Sequence, residues 1–103
     1  MTSEDALFAA LLEGAPLTLD DLCRAGRVTP QWVVERVEAG LLAGTTAGAW
    51  EQWRFDTVTL QRVRRMVRLE RDFDAVPELA ALVADLQAEI EQLRRRLRRA
   101  GLA

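Results

Sequence analysis

From Val76 to Ala100 apolar residues return at every third or fourth position: Val76, Leu79, Val83, Leu86, Ile90, Leu93, Leu97 and Ala100. That spacing holds one stripe on one side of a helix for about four heptads. A stripe of this length needs a second surface to cover it. Val, Val, Ile and Leu fall at the a positions and Leu, Leu, Leu and Ala at d, a choice that favours two strands. Val83, Leu86, Ile90, Leu93 and Leu97 are therefore the expected dimerisation residues of a homodimer. Glu89 at g can meet Arg94 at e of a parallel partner for roughly 0.5 kcal/mol. An antiparallel pair, or packing of the stripe back on its own domain, would use the same residues, so the orientation stays open.

The chain ahead of this helix divides by its stop and start signals. Ser3 can cap a short helix carrying Leu7, Phe8, Leu11 and Leu12, which Gly14-Ala15-Pro16 stops; a frayed tail would read the same way. Thr18-Leu19-Asp20-Asp21 has capping-box spacing, and Leu19, Leu22 and Cys23 form the inner face of the helix that follows. Gly26 is expected to supply the left-handed residue that ends it. Thr29-Pro30 then opens a second helix reaching about Ala39, with Val33 and Val37 inward and Gly40 at its end. Two helices joined through a glycine turn make a helix-turn-helix. Residues 43–49 have no helical period and read as a wing, followed by an extended Trp53 and Phe55 facing the core. Asp56 caps a third helix with Leu60, Val63, Val67 and Leu69 inward and Arg62, Arg64, Arg65 and Arg68 outward. Pro77 separates it from the last helix. The expected divisions are an N-terminal segment 1–16, a winged helix-turn-helix 17–73 and a C-terminal dimerisation helix 74–103, a mostly α architecture.

Composition removes most chemistry. Among 103 residues there is no histidine, lysine, tyrosine or asparagine, one cysteine and one serine. A serine or cysteine nucleophile has no histidine base, a P-loop has no lysine, and a zinc site has too few soft ligands. The sixteen acids show no spacing that would converge a pair on a pocket, so no catalytic residues, no metal site and no cofactor are expected. The single cysteine excludes an internal disulfide, the N-terminus is acidic where a signal peptide is basic, and no apolar run approaches the ~20 residues of a membrane span. The expected location is the cytoplasm, with no membrane partner.

A winged helix-turn-helix suggests DNA, which requires cations on the face entering the groove. Residues 17–56 instead hold six acids against four arginines, and the outer side of the second helix presents Gln31, Trp32, Glu35 and Glu38. Nucleic acid is therefore not the expected partner. The alternative, a DNA-binding regulator, would rely on Arg36, the wing and Arg54. Trp32 is the expected interface anchor because Val33 and Val37 already occupy the inward positions; packing beneath the wing against Trp50 is its structural alternative. The run Arg94-Arg95-Arg96-Leu97-Arg98-Arg99 complements the negative pole of a helix end.

The segments L-T-L-D-D-L-C-R-A-G, V-T-P-Q-W-V-V-E-R-V-E-A-G-L-L, W-R-F-D and V-R-R-M-V-R-L-E-R-D-F, followed by the closing heptads, occur in one order over residues 17–99. Together they resemble a MerR-like helix-turn-helix and, within that superfamily, the CbpM chaperone-modulator family. The resemblance implies a small cytoplasmic bacterial protein that binds the J-domain of the DnaJ-like co-chaperone CbpA and inhibits its stimulation of DnaK. A J-domain presents a basic helix to DnaK, so a competitor needs an acidic, partly aromatic surface. Trp32, Glu35 and Glu38, with Asp20 and Asp21 nearby, are the residues expected to form it. The sequence departs from the family in its helical-looking residues 1–14 and in a wing rich in alanine and glycine.

Overall fold

A computed structural model describes residues 14–102, so the expected helix after Ser3 lies outside the described residues. Among the latter, four α-helices surround a two-stranded antiparallel ribbon: β1 (Leu17–Thr18), α1 (Leu19–Gly26), α2 (Pro30–Glu38), β2 (Arg54–Phe55), α3 (Thr57–Phe73) and α4 (Pro77–Arg99). No helix among them is long and apolar enough to cross a membrane.

Local capping chemistry sets the first two helices. The Thr18 hydroxyl accepts the Asp21 amide at 3.0 Å while Asp21 accepts the Thr18 amide at 3.0 Å, which closes the capping box. Thr29 accepts the Trp32 amide at 3.1 Å, with Pro30 in the first turn of α2. The turn between them differs from expectation. Its left-handed residue is Arg27, at φ 58°, whereas Gly26 remains helical. Gly26 is needed for contact instead, since a Cβ there would lie 2.7 Å from Val63 Cγ1 of α3. At the end of α2, Gly40 takes φ 75° and lets the Leu41 amide reach back to the Arg36 carbonyl at 2.8 Å.

β1 was not anticipated. It pairs Leu17 with Phe55 and Thr18 with Arg54, and the other edge of Arg54 bridges to Thr45, so the wing is pinned at its base. Leu17, Leu22, Val33, Phe55, Val63 and Met66 are the fully buried centre of the core. Trp53 is buried too, edge-on to Phe55 at 6.3 Å, and donates to the Gly48 carbonyl at 3.2 Å. On α3 the inward residues are Thr59, Leu60, Val63 and Met66, with Val67 and Leu69 only partly covered. Cys23 is buried, and burial, followed by the nearby Asp20 charge, pushes its thiol up to about 11, so it remains protonated at neutral pH.

Arg62 and Arg65 do not point outward as expected; they tie α3 to its neighbours. Arg62 donates to the Leu41 carbonyl at 2.8 Å and pairs with Asp85, and Arg65 pairs with Glu91 at 2.5 Å. Burial lowers the Arg62 pKa. α4 packs on α3 through Ala80, Ala81 and Ala84, whose small side chains let the two helices approach. The heptad residues Leu79, Leu86, Ile90, Leu93 and Leu97, with Leu82 beside them, remain 44–56% exposed, and Val83 is half-buried.

Gly26→Ala tests the close crossing of α1 and α3. Overpacking costs roughly 1–3 kcal/mol against a helix-propensity gain of about 1 kcal/mol. Urea denaturation should show a net loss of about 1 kcal/mol, partly recovered by adding Val63→Ala. A neutral or stabilising Gly26→Ala would show that the crossing is not tight.

Candidate interaction surface

α2 has two chemically opposite sides. Towards α3, Val33 and Val34 enter the core, and Arg36 follows them with only 7% exposure. A buried guanidinium requires a partner that repays its lost hydration. Glu70 supplies it with two contacts, Arg36 Nη2 to Oε1 at 2.5 Å and Nε to Oε2 at 3.3 Å. Arg36 Nη1 donates to the Trp32 carbonyl at 3.1 Å, and its guanidinium carbon lies 3.8 Å from the centre of the Trp32 ring. The Trp32 indole N–H reaches the same Glu70 Oε1 at 3.4 Å. Trp32 is thus half-buried in an arginine–glutamate cluster that joins α2 to α3. Neither expectation for it, the exposed anchor or the partner of Trp50, describes that place.

Away from α3, Glu35 and Glu38 line an open groove with Thr29, Pro30, Gln31, Val34 and Trp50. Trp50 begins a short 3-10 turn, Trp50–Gln52, lies 6.3 Å from Trp53 and is 48% exposed. The aromatic residue beside the two carboxylates is therefore Trp50, not Trp32. Glu35 has only a long contact to Arg36, 4.0 Å, and Glu38 joins no ion pair among the described residues. Asp20 and Asp21 lie elsewhere, since neither lines this groove: Arg24 pairs with both, at 3.0 and 3.4 Å, and Asp21 also caps α1.

The arginines that a DNA-binding reading needs are engaged internally. Arg36 is buried against Glu70, and Arg54 Nη1 donates to the carbonyls of Glu51 and Trp53 at 2.9 and 2.7 Å. No group of three potential metal-ligating side chains occurs among the described residues. What remains at the position of a recognition helix is a negatively charged, partly aromatic groove, chemistry suited to a cationic protein surface.

Comparison with known proteins agrees with this fold. Residues 17–100 match the family described as MerR HTH family regulatory protein, so the class is a MerR-type helix-turn-helix protein. Within it, the chain is 34% identical over 80 residues to the chaperone modulatory proteins CbpM of Pseudomonas entomophila and Pseudomonas putida, covering 76% of this chain and 76% of each relative. The chain belongs to the CbpM chaperone-modulator family. No solved structure matches it.

The buried pair gives a stability test. Glu70→Ala strands Arg36 in the core and is expected to cost about 3 kcal/mol in denaturant unfolding. Replacing both partners together, Arg36→Met with Glu70→Leu, should cost distinctly less. Equal losses for the single and the double variant would mean the pair is not coupled.

Proposed function

We propose that this protein is a non-catalytic chaperone modulator that binds the J-domain of a DnaJ-like co-chaperone and blocks its action on DnaK. Family membership supports the modulator role; the surface chemistry of α2 supports the mode of binding. The observation that carries the reading is the groove of Glu35, Glu38 and Trp50, where two exposed carboxylates flank a half-exposed indole. A basic helix laid in that groove would find charge complementarity at its rim and a large aromatic anchor at its edge. Binding there works by occlusion, because the J-domain surface held by the groove is the one DnaK needs. Val83, Leu86, Ile90, Leu93 and Leu97 serve a separate purpose, holding two copies together.

The test is Glu35→Arg with Glu38→Arg, titrated calorimetrically against the J-domain encoded by the same organism. Both side chains are solvent-facing, so circular dichroism should be unchanged. Affinity should fall at least tenfold, and Trp50→Ala alone should weaken it several-fold. Unaltered affinity in both variants would remove the groove from the mechanism. Titration of the unaltered protein with duplex DNA at low salt should show no binding; salt-dependent DNA affinity would favour a regulator.

A further inference from the structure

This chain carries both sides of an electrostatic contact that one copy does not close on itself. The first side is the groove of α2, where Glu35 and Glu38 face solvent beside the half-exposed Trp50. Glu35 has only its long contact to Arg36, and Glu38 joins no ion pair among the described residues. The second side is the end of α4. Residues 94–99 hold five arginines and no carboxylate, and none of these arginines joins an ion pair among the described residues. This end stays clear of its own groove: every residue from Asp85 to Leu102 is exposed, and no described residue of α4 lines the groove.

The spacing on the two helices agrees. Glu35 and Glu38 stand three residues apart on α2, and Arg95 and Arg98 three apart on α4, in each case about 4.5 Å of rise along one side of a helix. Arg99 shares the side of Arg95 and Arg98, because the three fall at i, i+3 and i+4. At about 100° per residue that side lies roughly opposite Leu93 and Leu97, so covering the leucines leaves the three arginines presented outward. We propose that, in the protein without its partner, the arginine end of α4 of a second copy occupies the groove of α2, with Arg95 and Arg98 paired to Glu35 and Glu38 and Arg99 stacked on the Trp50 indole. Ion pairs at a surface contribute little each and are screened by salt, so the contact is one that a longer basic helix displaces. Its effect is to mask the groove: apparent affinity for a basic helix falls by the fraction of grooves already filled. The inference rests on the groove being a seat for a basic helix, and not on which protein supplies that helix.

Paramagnetic relaxation tests it in full-length chains carrying Cys23→Ala. One chain, isotopically labelled, is mixed with a second that bears a nitroxide at Ala100→Cys, an exposed position next to Arg99. The Glu35 and Glu38 amides and the Trp50 indole of the labelled chain should broaden. The broadening should disappear at high salt, and also when the nitroxide chain carries Arg95→Gln, Arg98→Gln and Arg99→Gln, substitutions of exposed residues that should leave circular dichroism unchanged. Broadening confined to α4, or groove broadening that survives the three substitutions, would overturn the proposal. Calorimetry then measures the masking, since the triple Gln variant should bind the J-domain several-fold more tightly than the unaltered protein; equal or weaker binding would overturn the masking. Groove broadening with no J-domain binding at all would remove the proposed function and leave this contact standing.

Discussion

A guanidinium removed from water at the junction of two helices is stable only where a carboxylate meets it, and Arg36 with Glu70 is the contact on which the relation of α2 to α3 depends. Its two hydrogen bonds to Glu70 and the stacking on Trp32 fix the rotation of α2 about its axis. Once that rotation is set, the remaining residues have no choice of side. Val33 and Val34 must enter the core, and Glu35 and Glu38 must face solvent beside Trp50. The same pair withdraws Arg36 from any role in binding phosphate.

The outer side of α2 carries the opposite sign of charge to the one a DNA-reading helix needs. α3 is rich in arginine, yet several of its cations are engaged within the domain by backbone carbonyls and acids: Arg62 by Leu41 and Asp85, Arg64 by Ala25, Arg65 by Glu91. Those contacts hold the end of α1, the turn after α2 and α4 as far as Glu91 to one central helix. Those arginines of α3 tie neighbouring segments to it, while Glu35 and Glu38 leave the outer side of α2 negative. A fold commonly associated with nucleic acid can in this way present a surface for a basic protein helix.

Legibility in the sequence followed the range of each interaction. The Thr18–Asp21 box, the Thr29 and Asp56 caps and the Gly40 turn are contacts between residues three to five apart, and their residue types announce them. Glycine suits a turn, which is what Gly26 suggests in the sequence, whereas the contact that requires glycine there is Val63, far away in the chain. Arg36 and Glu70 stand 34 positions apart, and the only local hint was Trp32 one turn before Arg36. The spacing of Glu35 and Glu38 shows that they face outward, but not that their aromatic neighbour is Trp50, which reaches the groove from the turn after the wing.

By itself the sequence determined the helix boundaries, the absence of histidine- and lysine-based chemistry, the acidic outer side of α2 and the apolar stripe of α4. Each of these is a matter of residue type at short spacing, where backbone geometry translates order directly into position. Tertiary structure alone decided that Trp32 is held inside and Trp50 left outside, and that alanines rather than leucines join α4 to α3. Those outcomes depend on which surfaces meet when separate elements pack, and shape and charge complementarity between distant segments has no signature in the spacing of either one.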